Sequence, residues 1–230
     1  MSDGLDPRVT QATRAMVQLQ RERVAAGAGR LGWKAAFGSP SGLATLGLDR
    51  PLVGFLTRDR QLAPGAAASV EGWVRPMFEA EVAVHIGRDL PPSPDAPAVE
   101  EAIAGLSAAI ELADLDPPPS DVAEILAGNI FHRHVLVGDV RQQPHDLAGV
   151  TVTVTRDGAE VARTDDPQAL TGRLVDVVTS MAGTLGQAGE RLLAGDVIIT
   201  GAVVPPLAIS AGQRLTVDVS GLGRLELTIT

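Results

Sequence analysis

Cysteine and tyrosine are both missing from this 230-residue chain, and lysine occurs once. Without cysteine there is no disulfide, no thiolate metal site and no thiol nucleophile. Without tyrosine no phenol is available as an acid or an oxyanion donor. Positive charge is scarce as well: 19 Lys and Arg stand against 28 Asp and Glu, for a net charge of −9. That balance argues against nucleic acid as a partner, because phosphate binding needs a basic surface. No apolar run is long enough to cross a membrane; the best, Val197 to Ile209, is interrupted by Gly201, Pro205 and Pro206. Met1 to Asp6 is acidic and has neither the basic nor the apolar stretch of a secretory signal, so a cytoplasmic location is expected. What the chain does have is 45% hydrophobic residues, enough for one large domain or for a domain with a small appendage.

The single lysine is Lys34, in Leu31-Gly32-Trp33-Lys34. Arginine stays protonated almost everywhere, whereas a lysine amine taken out of water can give up its proton and act as a base. A chain that writes every other cation as arginine makes Lys34 a candidate for chemistry. A solvated surface lysine is the competing reading.

The hydrophobic pattern predicts a mainly β body. Asp6-Pro7 reads as the start of a helix running to Gly27, and from Lys34 onward the pattern is strand-like with Gly and Pro punctuation. Phe78 to Ile86 alternates strictly, with Phe78, Ala80, Val82, Val84 and Ile86 on one face and Glu79, Glu81, Ala83 and His85 on the other. A short helix is expected over Ala98 to Leu106, a buried strand over Ala108 to Ala113, and a helix over Asp121 to Leu126 with Asp121 as its cap. Asp157-Gly158 marks a hairpin. Asp166-Pro167 is expected to open the clearest helix, with Leu174, Val177, Val178, Met181 and Leu185 on one face. Strands close the chain at 196–201, 214–219 and 224–230. Regular strand–helix alternation is lacking, which argues against a doubly wound sheet.

On an alternating strand, Glu79 and Glu81 project to the same side with Cα atoms roughly 6.5–7 Å apart. Adjacent anions repel, and a divalent cation would relieve them; carboxylates without sulfur suit a hard ion such as Mg²⁺ or Mn²⁺. A water-facing acidic strand is the alternative. Glu111, alone in the apolar stretch Ala108 to Ala113, needs a metal, an arginine or a backbone donor if it is buried.

Taken together, Gly32-Trp33-Lys34, the run from Leu46 to Leu56, Arg75-Pro76-Met77-Phe78-Glu79-Ala80-Glu81, Ala109 to Asp114, Leu192 to Gly201 and Gly221-Leu222-Gly223 follow a recognisable order. Over nearly the whole chain they resemble the hydratase/decarboxylase branch of the fumarylacetoacetate hydrolase superfamily. The resemblance implies an α+β, mainly β fold: a mixed β-roll over residues 31–230, carrying the catalytic site, with a helical N-terminal segment over 1–30. It implies homo-oligomeric assembly and an Mg²⁺ or Mn²⁺ ion held by Glu79, Glu81 and Glu111, with Lys34 as the catalytic amine. It also implies a small 2-oxo or 2-hydroxy-2,4-dienoic acid substrate, of the kind released by aromatic ring cleavage. In that chemistry the ion stabilises negative charge on the substrate's 2-oxygen as an enolate, and Lys34 moves protons between tautomers. Hydration is the expected reaction; decarboxylation of a 2-oxo-3-enedioate, a biosynthetic tailoring reaction and a silent scaffold subunit are the alternatives.

One stretch departs from the family pattern. Where an Asp-Asn pair and small residues are usual, this chain has Gly128-Asn129-Ile130-Phe131-His132-Arg133-His134. Asn129, His132, His134 and Arg75 are the expected substrate-binding residues, with a surface or assembly role open for the two histidines and a structural salt bridge for Arg75. His85 is roughly 13 Å along its strand from Glu81, too far to share an ion. His145 is expected to be structural or exposed, and Asp114 and Asp116 to be solvated or to support a metal ligand. No histidine precedes His85, which disfavours the His-Glu route to carbon–carbon hydrolysis.

Overall fold

A computed structural model describes residues 6–116, 121–141 and 146–230. In chain order its elements are α1 (Pro7–Ala25), β1 (Arg30–Ala36), α2 (Pro40–Leu46), β2 (Leu52–Thr57), β3 (Ala67–Ala68), β4 (Pro76–Ile86), α3 (Ala96–Ala102), β5 (Ile103–Asp114), α4 (Val122–Ala127) and β6 (His132–Val137). They continue with β7 (Val152–Arg156), β8 (Ala159–Thr164), α5 (Leu174–Gln187), β9 (Val197–Ile199), β10 (Leu207–Ala208), β11 (Arg214–Val219) and β12 (Gly223–Ile229).

Two sheets carry the fold. One runs β2-β1-β9-β4-β5-β6, with β10 paired to β4; the other runs β3-β12-β11-β7-β8. Pairing is antiparallel except for β1 with β9 and β12 with β3. The larger sheet curls until its ends meet: Gln61, just after β2, bridges Val135 on β6, and Leu62 N donates to Val135 O at 2.8 Å.

Curling gives the sheet two unlike faces. Outward, Trp33, Phe55, Phe78, Ile110, Leu136 and Ile198 join the main core, together with Val9, Met16 and Val17 of α1 and Val178, Met181 and Leu185 of α5. Burying each large side chain of this kind contributes about 1.5–3 kcal/mol. Inward, a smaller cluster holds Leu31, Leu56, Ala83, Ala109, Val135, Val197 and Ile199. At two positions the inner face leaves no room for a side chain: a Cβ on Gly32 would lie 1.9 Å from Val197 O, and one on Gly54 would lie 2.9 Å from both Asn129 Oδ1 and Lys34 Cγ.

Several boundaries differ from those read in the sequence. The expected helix over 98–106 ends at Ala102, and Ile103 to Leu106 belong to β5, because β5 pairs along the whole of β4 from Ile86↔Ile103 to Pro76↔Asp114. The stretch after β1 contains α2, capped by Ser39, whose Oγ accepts from Gly42 N at 3.1 Å. Asp166-Pro167 opens a turn rather than α5, which starts at Leu174 after Gly172 takes a left-handed φ of 85°. The hairpin at Asp157-Gly158 and the cap at Asp121 are where they were expected.

Candidate active site

Alternation on β4 sends Glu79 and Glu81 to the inner face, and β5 brings Glu111 directly opposite Glu79 in the antiparallel register. Each of the three offers a carboxylate oxygen, and these oxygens lie within 4.8 Å of one another. Like charges placed directly across a strand pair repel, and here they do so away from water: Glu81 and Glu111 are 0% and 1% exposed. Glu81 Oε2 accepts from Gly201 N at 2.7 Å, while its Oε1 is buried without any partner. An unpartnered buried carboxylate oxygen is costly. A hard cation bound by carboxylate oxygens would remove both the repulsion and the orphaned acceptor, so these residues fit such an ion.

Lys34 projects inward from β1 and is 2% exposed. Its Nζ donates to Glu111 Oε1 and to Ile130 O, the latter at 3.1 Å. The same Glu111 Oε1 lies 2.7 Å from His132 Nδ1. With Oε1 occupied twice, Oε2 is what Glu111 has left for a cation. The Ile130 carbonyl reaches Lys34 through an uncommon turn: Asn129, Ile130 and Phe131 take consecutive left-handed φ values of 50°, 52° and 61°. Side chains disfavour that conformation, so the surroundings must hold it. The Asn129 amide does so, with Oδ1 accepting from Phe55 N at 2.8 Å and Nδ2 donating to Phe55 O at 2.9 Å.

The electrostatics follow from burial. Burial raises the Glu79 carboxyl from 4.5 to about 7, helped by Glu111 and opposed by Lys34. Glu81 is raised well above the ordinary carboxylate value, by burial first and then by its two acidic neighbours. Burial pushes Glu111 upward too, but Lys34 and His132 outweigh it and hold it below the usual value. Burial keeps the His132 imidazole below its ordinary value despite Glu111. A carboxyl raised on folding binds its proton more tightly in the folded state, so its contribution to stability is full below the unfolded value and is lost as pH rises through the folded one. Glu111 has the opposite sign and acts at more acid pH. The metal-free protein is therefore expected to lose stability as pH rises from about 4.5 to about 7, and Mn²⁺ to reverse that loss. Melting curves with EDTA and with Mn²⁺ across this range check the point; a metal-free profile that stays level contradicts it.

Lys34 and Glu79 form the floor of a cavity of about 460 Å³. Its walls come from Phe37 to Gly42 and Thr45, from Ala113, Leu115, Ile130 and Phe131, and from Leu170, Thr171, Thr200 to Ala202, Pro205 and Pro206.

Among the other expected site residues, His132 reaches the carboxylates. Arg75 has an exposed side chain and does not line the cavity; its backbone N donates to Asp114 Oδ1 at 2.8 Å. The Asn129 amide bonds the Phe55 backbone through both its oxygen and its nitrogen. His132 and His134, two apart, were expected to share a face. A register irregularity between Leu112 and Ala113 skips Arg133, so His132 turns inward to Glu111 while His134 stacks on Trp73 with ring centroids 6.1 Å apart. His85 Nε2 is 2.9 Å from Ser107 Oγ, remote from the carboxylates in register. Asp114 ties Val74, Arg75 and Arg133 together, and Asp116 is exposed. His145 lies outside the described residues. Sequence reasoning missed the Gly201 amide and the Ile130 carbonyl, because backbone groups leave no signature in residue type.

Comparison with known proteins bears on this arrangement. Residues 45–230 match the fumarylacetoacetate (FAA) hydrolase C-terminal family. The chain is 29% identical over 188 residues to 2-keto-4-pentenoate hydratase 2 of Dechloromonas aromatica (strain RCB), covering 80% of this chain and 71% of the relative. It is 25% identical over 229 residues to a 4-oxalocrotonate decarboxylase of a Pseudomonas sp, covering 98% and 89%. Among solved structures, 4-oxalocrotonate decarboxylase from Pseudomonas putida G7, complexed with magnesium and adipate, superposes with a TM-score of 0.88 at 23% identity, covering 96% of this chain and 86% of that one. With its inward carboxylates on a curled mixed sheet and a family match over residues 45–230, this chain belongs to the fumarylacetoacetate hydrolase family.

Proposed function

We propose that this protein is a divalent-metal-dependent lyase acting on a small 2-oxo or 2-hydroxydienoic acid, with hydration as its reaction and decarboxylation as the alternative. The observation that carries the reading is the convergence of Glu79, Glu81 and Glu111 beside Lys34, with Lys34 and Glu79 lining one cavity. Relatives named as hydratases and as decarboxylases support it equally.

In this reading Glu79, Glu81 and Glu111 would hold Mg²⁺ or Mn²⁺. When bound, such an ion supplies Lewis-acid stabilisation of charge developing on the substrate's 2-oxygen. Lys34 Nζ, fixed by Glu111 and the Ile130 carbonyl, stands at the cavity floor to exchange protons with the substrate. For a 2-hydroxypenta-2,4-dienoate the 2-hydroxyl proton is lost and C5 gains a proton, giving the 2-oxo-3-enoate. Water then bonds to C4 and C3 takes a proton, giving 4-hydroxy-2-oxopentanoate. The cavity walls orient the tail.

The test is to incubate Mg²⁺-loaded protein with 2-hydroxypenta-2,4-dienoate and with 2-oxohex-3-enedioate, following ultraviolet absorbance and CO₂. Loss of the diene absorbance without CO₂ supports the hydratase, and CO₂ from the dioate supports the decarboxylase. Inactivity on both with the metal bound contradicts the proposal. Homo-oligomeric assembly and a cytoplasmic setting belong to the same proposal; among the described residues no helix is long and apolar enough to cross a membrane.

A further inference from the structure

The cavity is charged at one end only. Lys34 and Glu79 are the charged side chains among its described lining residues, and both stand at the floor. Lys34 is already committed to Glu111 and to the Ile130 carbonyl. Away from the floor the wall is apolar, made by Phe37, Leu115, Phe131, Leu170, Pro205 and Pro206. The uncharged polar side chains of the lining are the hydroxyls of Ser39, Ser41, Thr45, Thr171 and Thr200. The nearby cation considered from the sequence, Arg75, is exposed and not part of the wall.

A carboxylate carried against this apolar lining would give up water there and, among the described lining residues, find no cation other than the committed Lys34. Burying an anion without a partner is penalised severely, whereas an apolar tail gains by the same transfer. We propose that the site selects 2-oxo monocarboxylic acids with an uncharged tail and discriminates against 2-oxo dioic acids. The selection resides in the wall formed by Phe37, Leu115, Phe131, Leu170 and the Pro205-Pro206 pair. This rests on the reading of the floor as the place that takes the substrate's 1-carboxylate and 2-oxygen, and it narrows the substrate class within that reading.

The discriminating experiment is calorimetric binding to the Mn²⁺-loaded protein of two acids of equal length, 2-oxohexanoate and 2-oxoadipate, with oxalate probing the floor alone. The expected result is binding of oxalate, and a preference for 2-oxohexanoate over 2-oxoadipate of at least about tenfold. Affinity is also expected to rise from 2-oxobutanoate to 2-oxohexanoate by up to about fourfold per methylene, as the tail meets the apolar wall. In Thr171→Arg, which adds a cation to the cavity wall, the preference is expected to shift toward 2-oxoadipate while oxalate still binds. Equal or tighter binding of 2-oxoadipate to the unaltered protein overturns the proposal. Binding of oxalate but of neither oxo acid also overturns it, leaving the metal floor standing. Failure of oxalate itself removes the reading of the floor, and this inference with it.

Discussion

Replacing Lys34 by methionine is expected to reduce turnover by about 10²- to 10⁴-fold, the usual contribution of a positioned proton-transfer group. Methionine keeps most of the volume and removes the amine. The three carboxylates remain, so Mn²⁺ should still bind, read by its electron paramagnetic resonance signal. The loss belongs in kcat rather than in substrate affinity, because the amine acts on protons that move and the 1-carboxylate does not need it. Lys34→Arg is not a rescue: a guanidinium keeps the charge, but it is larger and does not give up its proton. Gly54, whose missing Cβ leaves room for Lys34 Cγ, shows how little space there is for a larger group. A variant with full turnover would remove Lys34 from the mechanism.

Glu111→Gln is expected to damage stability and metal binding together. Glu111 Oε1 meets both Lys34 and His132 in a site 1% exposed. Breaking a buried ion pair by neutralising one partner commonly costs about 3–5 kcal/mol, because the other charge is left uncompensated. The same substitution removes one of the three carboxylates proposed to hold the ion, so Mn²⁺ affinity should fall as well. Adding Lys34→Met to Glu111→Gln removes the stranded cation, and the double variant is expected to recover part of the lost stability without recovering activity. Chemical denaturation of the four proteins in the cycle measures the coupling between the two residues. If the stability lost by the double variant equals the sum of the losses in the two single variants, the buried pair carries no coupling and the argument fails.

The residues in these predictions were visible in the sequence to different degrees. Glu79 and Glu81 could be placed on one face because strand alternation is local and needs nothing beyond residues 78–86. Lys34 stood out by rarity, yet rarity does not say whether an amine is buried. Glu111 drew notice as an acid in an apolar run, and the family resemblance assigned it to the ion. Its position across from Glu79 follows from the pairing of β4 with β5, which only the folded sheet shows. The histidines show the limit of local reasoning. Two residues apart on a regular strand they would share a face; the register irregularity that skips Arg133 sends His132 to Glu111 and His134 to Trp73. The clamp of the Asn129 amide on the Phe55 backbone likewise joins residues far apart in the chain.

Local patterning in this chain, read alone, therefore determined the secondary-structure class of most segments, the hairpin at Asp157-Gly158 and the side of β4 that carries acid. Side-chain period, turn chemistry and capping are properties of a few neighbouring residues. Tertiary structure decided the register that sets Glu111 against Glu79, the curling that encloses Lys34, the left-handed turn that aims the Ile130 carbonyl, and the one-sided charge of the cavity. Each of these depends on contacts between residues tens of positions apart, where packing and strand closure, not local preference, set the geometry.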